Sequence, residues 1–242
     1  MKLYNSNILK GLCIAISLFA FSCNLDSKEL FHDDFESKDL KKDWKTSGNG
    51  IISIDTTKAF SGKQSIKFVS GEGYKNHAFI NLKSLFPLAE NRFRGSLKMY
   101  IENASPDGIH WTMIQASGKV KGEDYSAEVR YGGQHQKQLM ANYDTKGVKS
   151  DCWQHSDVKI PEGEWFTINF LFDTNTNEMQ CAINGKKIDK LAVTNQGEGC
   201  VENDLNNLWV FPIFDTLSFG WADYQTGGGQ RTLWIDDIII TP

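Results

Sequence analysis

The feature that most constrains this fold is a period-two alternation of apolar and polar residues in many short segments. Gly, Asn, Asp and Ser separate these segments, and sustained helical periodicity is not found in the sequence. The predicted strands cover residues 51–55, 64–69, 77–82, 93–102, 110–116, 125–131, 139–143, 165–173, 178–183, 217–224 and 232–241. Many short strands without a linker between them predict an all-β, two-sheet antiparallel sandwich.

The turns and the two ends of the strand-rich region refine this prediction. Residues 178–183 and 186–191 flank Asn184-Gly185, which predicts a hairpin with a type I′ turn. Residues 33–36 and 234–238 have the pattern of the first and last strands of a jelly roll, whose ends pair side by side. We therefore expect a single β-jelly-roll domain over residues 31–242, acting as a monomer.

Composition excludes some classes of ligand. The net charge is −4, whereas nucleic acid binding depends on clustered Lys and Arg. The same balance argues against an anionic membrane surface as the ligand. Aromatic residues make up 12% of the chain, and most of the seven tryptophans are expected in the core.

The first residues have the pattern of an export signal. Lys2 and Lys10 precede a short apolar run that ends at Ser22-Cys23. This ending resembles a bacterial lipobox, so we expect residues 1–22 to be a lipoprotein signal peptide and Cys23 to be lipidated. Residues 23–30 would then tether an exported domain to a bacterial membrane or cell surface through the lipid alone. The alternative is a plain signal peptide with an incidental cysteine.

Three cysteines lie within the predicted domain, at positions 152, 181 and 200. Their spacing matches no zinc motif, and export would permit one disulfide with one thiol remaining. Cys181 alternates with apolar residues, which indicates a buried thiol. Cys152 and Cys200 lie in polar, loop-like sequence and are the pair we expect.

Residues 59–65 resemble a turn that precedes an early strand in many secreted carbohydrate-binding jelly rolls. In those domains an N-terminal Glu, this turn and a C-terminal Asp often hold a structural calcium ion, which prefers oxygen ligands. The resemblance implies a calcium site whose ligands are Glu36, Ser61, Gln64 and Asp236, with Asp237 as an alternate. The other possibility is that these acids face water at strand ends.

Residues 109–118, 128–134 and 217–225, with Gly163-Glu-Trp165 and Asp236-Asp237, resemble the cellulose-induced secreted jelly-roll proteins of fungi and their bacterial relatives. That family is similar in fold to glucuronan lyases and alginate lyases of the concanavalin-like lectin/glucanase group. The resemblance covers nearly all of residues 31–242. It implies a polysaccharide ligand, a polyuronate in particular, and β-elimination as the reaction.

A uronate lyase must neutralise a carboxylate, remove the C5 proton and protonate the leaving oxygen at C4. Arg130 and Gln115 are the candidates for binding the carboxylate. Tyr224, which follows two small residues on one strand face, is the candidate phenol for proton transfer. Arg130 could instead pair simply with Glu128, and Tyr224 could be a packing residue.

The general base is the open question. His110 is the nearest histidine, but strict alternation places His110 and Gln115 on opposite faces, so a bulge would be needed to unite them. His135 and His155 are further candidates in predicted loops. Tyr143, Glu128 and His135 are the expected substrate-binding residues.

Three function classes follow: a polysaccharide lyase, a non-catalytic glycan-binding lipoprotein, and a glycoside hydrolase. The hydrolase is disfavoured because the sequence lacks the Glu-x-Asp-x-x-Glu strand usual in such glucanases. Convergence of Arg130, Gln115, Tyr224 and one histidine would favour the lyase. A face lined only by Trp and Asn would favour binding.

Overall fold

A computed structural model describes residues 28–147 and 149–242, so the predicted leader and Cys23 lie outside the described residues. The strands are β1 Phe31–Asp33, β2 Trp44–Ser47, β3 Ile51–Asp55, β4 Ser65–Ser70, β5 Ala78–Leu82, β6 Arg92–Ile101, β7 Trp111–Lys119, β8 Ser126–Gly133, β9 Gln138–Lys146, β10 Ser150–Lys159, β11 Trp165–Asp173, β12 Glu178–Ile183, β13 Lys186–Lys187, β14 Val193–Thr194, β15 Gly199–Asn203, β16 Ile213–Asp223 and β17 Arg231–Thr241. Short 3₁₀ turns cover Tyr74–Asn76, His135–Lys137 and Asp189–Leu191. Within these two ranges, none of the helices has the length and apolar character needed to cross a bilayer.

The strands form two antiparallel sheets, as predicted. The front sheet has the order β15-β10-β9-β8-β7-β16-β5-β2. The back sheet has the order β13-β12-β11-β6-β17-β4-β3, with β1 beside β17 and β14 beside β12. The jelly-roll prediction is confirmed by this arrangement.

The core lies between the sheets because alternate residues of each strand point inward. Its largest side chains include Trp111 and Trp221, which stack with ring centroids 4.4 Å apart. Phe93 packs edge-to-face against Phe172 from the neighbouring strand. Burial of each such ring stabilises the sandwich by about 1.5–3 kcal/mol.

The paired ends and the turn at Asn184-Gly185 are confirmed, but the second strand of the hairpin is shorter than predicted: β13 covers only Lys186–Lys187, and Asp189–Leu191 form a 3₁₀ turn. Phe31 of β1 pairs with Ile240 of β17, so the first and last strands are neighbours. Asn184 and Gly185 both have positive φ, at 49° and 75°, as a type I′ turn requires. Asparagine and glycine tolerate this conformation better than other residues do.

The cysteine pairing is confirmed, but its predicted setting is wrong. Cys152 and Cys200 form a disulfide, and Cys181 is a buried free thiol. Both disulfide partners lie in paired strands, β10 and β15, and not in loops. Strand β10 escaped prediction because its outward positions, Trp153 apart, are polar or charged, and its one core cysteine carries little apolar signal.

Candidate functional site

A row of side chains crosses the outer face of the front sheet, here called the front face. Residues paired on neighbouring antiparallel strands point to the same side of a sheet, so the register defines the row. From β5 to β10 the paired residues of this polar row are Asn81, Ser218, Gln115, Arg130, Asn142 and Trp153. A second, acidic row lies two residues further along the strands and consists of Glu128, Asp144, Asp151 and Glu202.

Arg130 lies at the centre of the polar row and is only 2% exposed. Its Nη1 donates to Glu128 Oε1 at 3.0 Å and to the Tyr224 hydroxyl at 2.5 Å. Its Nη2 donates to Asp144 Oδ2 at 3.1 Å. Burial works against the charge, but Tyr224 and the two carboxylates outweigh it and raise the pKa of Arg130. The guanidinium is therefore a fixed cation in this face.

Tyr224 stands just after β16, with one ring on each side. Its ring stacks on His110 with centroids 4.7 Å apart and on Tyr74 with centroids 5.3 Å apart. Its hydroxyl also lies 3.2 Å from the Thr112 hydroxyl. Burial raises the pKa of Tyr224, while Arg130 opposes that rise. The phenol is thus protonated at neutral pH and held by its hydroxyl end.

A bulge brings His110 and Gln115 to the same face. The register between β7 and β8 shifts between Thr112 and Ile114, and the register between β7 and β16 shifts at the same level. The extra residue, Met113, packs in the core. Because the bulge reverses the alternation, His110 and Gln115 both point outward. The sequence predicted that these two residues could share a face only through a bulge, and the structure has one.

His110 is oriented by hydrogen bonds on two sides. Its backbone N–H donates to Gln225 Oε1 at 2.7 Å, and its carbonyl accepts from the Tyr224 N–H at 2.8 Å. Its Nε2 lies 3.0 Å from Asn142 Oδ1, and Asn142 donates its own amide N–H to the Cys152 carbonyl. Asn142 Oδ1 must therefore accept, so Nε2 carries the proton and Nδ1 keeps a free lone pair.

Burial and the nearby Arg130 lower the pKa of His110 to about 4, although the bond to Asn142 opposes this shift. The imidazole is consequently neutral at physiological pH. A neutral imidazole with a free Nδ1 can accept a proton.

Gln115 and Arg130 each leave one polar atom without a partner. Gln115 Oε1 and Arg130 Nε are both buried and make no hydrogen bond within the described residues. The two residues are direct cross-strand neighbours on the front face. In the described part of the chain, atoms without a partner also occur in the core, at Trp111 and Trp209, but this Oε1 and Nε lie side by side on an outer face, as expected of a position where a ligand or water binds.

The other predicted substrate-binding residues do not all join this cluster. Glu128 does, through Arg130. Tyr143 does not: it is fully buried in the core and stacks on Trp209, because its register partner is the inward-facing Val129. His135 lies at the rim, where Nδ1 is 3.6 Å from Asp107 Oδ1. His155, expected in a loop, is in β10 and contacts Glu198.

Four residues of the cluster were missed by sequence reasoning: Tyr74, Thr112, Asn142 and Asp144. Tyr74 comes from a short 3₁₀ turn, far along the chain from its partners. Only the sheet register places Asn142 and Asp144 beside β8. Their alternation with apolar residues in β9 marked them as outward-facing, which was the one available signal.

The predicted calcium ligands surround a single turn on the back-sheet side. Glu36 Oε1 accepts the N–H groups of Lys63 and Gln64, at 2.8 and 3.0 Å. Asp236 Oδ2 accepts those of Phe60 and Ser61, at 2.9 and 3.1 Å. The prediction that both ends of the domain meet at this turn is therefore correct.

These residues fit calcium by donor type. Two carboxylates, the Ser61 hydroxyl and the Gln64 amide oxygen are hard oxygen donors. Burial raises the pKa of Asp236, and the neighbouring Asp237 adds to the rise. Among the described residues, however, no group of three His, Cys, Asp or Glu is arranged to hold a metal, so hydroxyl and carbonyl oxygens would have to complete the shell.

Comparisons with known proteins support the fold and the family. A family model described as polysaccharide lyase-like, Cip1-like core domain, matches residues 34–242. The solved structure of the cellulose-induced protein Cip1 has a TM-score of 0.68 and 26% identity, covering 87% of this chain and 96% of its own. A search of curated protein sequences found no significant match.

Two more distant structures share the fold. The endo-β-1,4-glucuronan lyase of the fungus Trichoderma reesei has a TM-score of 0.61 and 13% identity, covering 88% of this chain and 95% of its own. A carbohydrate esterase of Shiga toxin-encoding bacteriophage phi24B has a TM-score of 0.55 and 15% identity, covering 88% and 98%. Because the family model spans most of the sequence, the chain belongs to the polysaccharide lyase-like family of Cip1-like core domains.

Proposed function

We propose that this protein is a polysaccharide lyase that cleaves a uronate-containing glycan by β-elimination. The observation that carries the proposal is the convergence of Arg130, Tyr224 and a neutral His110 on the front face. Gln115 completes the set as the cross-strand neighbour of Arg130. A face that only gripped sugars would not need a neutral, oriented imidazole beside a guanidinium-bound phenol.

Each group has a chemical task in the proposed reaction. The Gln115 amide N–H and the Arg130 guanidinium stabilise the substrate carboxylate as negative charge moves onto it. His110 Nδ1 accepts the C5 proton, and the electron pair forms the C4–C5 double bond as the C4–O bond breaks. Tyr224 donates its phenolic proton to the leaving oxygen. Proton return from solvent to Tyr224 and loss of the C5 proton from His110 restore both groups.

The contacts of Arg130 refine that role. Glu128 and Asp144 already balance its charge, so it contributes directed N–H donors and not a free positive charge. A rigid, desolvated donor costs little reorganisation at the moment of reaction. Its bond to the Tyr224 hydroxyl also stabilises the phenolate that forms after proton donation.

Ultraviolet absorbance tests the reaction class directly. Elimination creates a double bond conjugated with the carboxylate, whereas hydrolysis does not. Glucuronan, alginate, pectate and glycosaminoglycans would be screened, each with wild type and Tyr224→Phe. We expect absorbance to rise with wild type on at least one polymer, and Tyr224→Phe to abolish turnover while it spares binding.

Tyr100→Phe is the matched control, because Tyr100 lies on the outer face of the other sheet between Trp165 and Trp234. It should leave turnover unchanged. If no polyuronate gives the absorbance, yet one of them binds equally to wild type and Tyr224→Phe, the protein is a non-catalytic glycan-binding protein and the proposal is wrong.

We also propose that export and lipidation at Cys23 place the domain at a bacterial membrane or cell surface. The charged start, apolar run and Ser22-Cys23 ending support this. Mass spectrometry of the membrane fraction should find acylated Cys23, and Cys23→Ala should release the protein. A soluble mature form that starts at another residue would contradict the proposal.

A further inference from the structure

We propose that the β10 side of the front face is a subsite for an uncharged sugar residue, with Trp153 as its stacking platform and the acidic row excluding a second uronate. This inference rests on the proposed function and narrows its substrate class. The glycan would carry its uronates separated by neutral sugars.

Trp153 continues the polar row two strands beyond Arg130. It pairs with Asn142 on one side and with Gly199 on the other. Two strand spacings place it about 10 Å from Arg130. Because His110 bonds Asn142 of β9, the ring whose carboxylate Arg130 binds extends toward β9, and the sugar bonded next to that ring reaches Trp153. A glycan laid along the polar row would therefore meet Trp153 close to the reacting uronate.

The indole lies over the backbone of β15. A Cβ built on Gly199 would come within 2.9 Å of the Trp153 ring atoms Cε2 and Cζ2, so a larger residue there would displace the ring. Trp153 is half-buried and keeps an exposed portion on the front face. A flat apolar ring beside a polar row suits the apolar face of a pyranose, as in other aromatic sites with one wet side.

The charges around this subsite oppose a carboxylate. Asp144 and Asp151 are cross-strand neighbours, and Glu202 pairs with Asp151. Burial and Asp144 raise the pKa of Asp151, with Glu202 adding to the rise and Arg130 opposing it. A second uronate would lie within about 8 Å of these acids, inside the Debye length of about 10 Å at 0.1 M salt, so the repulsion is only partly screened.

The cations nearby do not offset this repulsion. Arg130 is already paired with Glu128 and Asp144. Lys146 follows Asp144 by two residues and Lys149 precedes Asp151 by two, so both lie beyond the acidic row from Trp153. His155, two residues after Trp153 on β10, contacts Glu198. A neutral sugar meets no such penalty, and its hydroxyls can donate to the carboxylates.

Two polymers separate the possibilities: glucuronan, a homopolymer of glucuronate, and hyaluronan, in which glucuronate alternates with a neutral N-acetylated sugar. We expect wild type to turn over the alternating polymer with the higher kcat/KM. Trp153→Ala should raise KM for it about tenfold, equal to about 1.4 kcal/mol, with kcat retained. Trp153→Phe should recover part of the loss.

The two control substitutions, Trp165→Ala and Asp157→Asn, change residues outside both rows. Trp165→Ala removes a half-buried indole from the outer face of the back sheet and should leave KM unchanged. Asp151→Asn should raise kcat/KM for glucuronan at least threefold, whereas Asp157→Asn, at an exposed position of β10, should not. Gel retardation by each polymer gives a binding readout that needs no turnover.

The two proposals can fail separately. Loss of hyaluronan retardation in Trp153→Ala, without elimination on any polymer, would support the subsite and reject the lyase. Preference for glucuronan, together with no effect of Trp153→Ala on KM, would overturn the subsite and leave the lyase intact.

Discussion

Both outer faces of the sandwich carry aromatic rings and cations, but the cations have different partners. On the back sheet, Lys58 lies 3.7 Å from the Tyr100 ring centroid and 4.9 Å from that of Trp234. On the front face, Arg130 is held by two carboxylates and a phenol, and Gln115 beside it keeps a buried oxygen without a partner. On the back face the cations cover aromatic rings, and Trp234 Nε1 is a buried donor without a partner among the described residues. On the front face a buried acceptor and a buried donor without partners, Gln115 Oε1 and Arg130 Nε, lie side by side and leave bonding capacity for a ligand.

This difference teaches that residue types alone do not mark a glycan site. Lys98 and Phe60 form another ring–cation pair on the back face, with 4.4 Å between Nζ and the ring centroid. Such pairs cover apolar rings and stabilise the surface. The predictions below test whether function and stability divide between the faces in this way.

The largest expected effect is on turnover, through Arg130→Lys. Lysine keeps a positive charge but cannot bond Glu128, Asp144 and Tyr224 together, since it lacks the planar fork of donors. We expect a loss of about 10²–10³-fold in kcat on the proposed substrate. Lys98→Ala on the back face should lose less than twofold, and equal losses in the two variants would erase the contrast between the faces.

The front sheet should also lose stability without its disulfide. Cys152 and Cys200 enclose a sequence separation of 48 residues, for which loop entropy predicts about 4 kcal/mol of stabilisation. Denaturant unfolding of Cys152→Ser/Cys200→Ser should show this loss. Reductant should bring wild type to the same midpoint and leave the double variant unchanged. A reductant effect in the double variant would point to another cause.

For the back-sheet side we propose a structural calcium ion at the turn held by Glu36 and Asp236. Calcium at a hundredfold excess over Kd should add about 2.7 kcal/mol to the free energy of unfolding. A chelator should therefore lower the Tm of wild type and of an Asp39→Ala control, but not that of Glu36→Ala. An unchanged wild-type Tm would remove the calcium site.

The pH dependence sharpens the role of His110. The neutral imidazole is the proposed base, and its pKa is lowered to about 4 by burial and Arg130. Activity should therefore persist as the pH falls below 6 and decline only as it passes through about 4. An exposed histidine would instead give a decline near about 6.5. Measurement of kcat/KM against pH distinguishes these two outcomes, and a decline in activity near pH 6.5 would assign the base to another residue.

The smallest expected effect is on the back face. Lys58→Met removes a cation from above Tyr100 and Trp234 and should cost about 0.5–1 kcal/mol of stability at this half-buried surface site. Turnover should not change. The denaturant midpoint and the turnover rate, measured on the same preparation, test both expectations. A loss of turnover would show that the back face also serves function.

Local sequence pattern predicted most strands and the turn at Asn184, because alternation and positive-φ residues act over a few positions. It also selected Arg130, Gln115, Tyr224 and His110. It misplaced Tyr143, since whether a tyrosine faces the core depends on register with Val129.

Long-range placement explains what the sequence missed. Tyr74 and Tyr224 are 150 positions apart and meet only because of how β5 and β16 pair. The sequence placed most tryptophans in the core and did not single out Trp153, which the inward position of Cys152 turns to the front face. Pairing between distant strands is set by the whole core, which local patterns do not contain.

The bulge in β7 lets a single strand both pack against the core and present His110 and Gln115 on the front face. From Ile114 onward, every second residue points into the core. On the other side of Met113, His110 and Thr112 point outward, although strict alternation would turn them inward. If the strand were regular and kept Met113, the imidazole would turn toward the hydrophobic interior while Gln115 stayed in place, whereas deleting Met113 would remove the bulge and leave His110 outward. A single inserted residue thus decides which groups the strand offers to solvent at one end, while its pairing with both neighbours continues beyond the bulge.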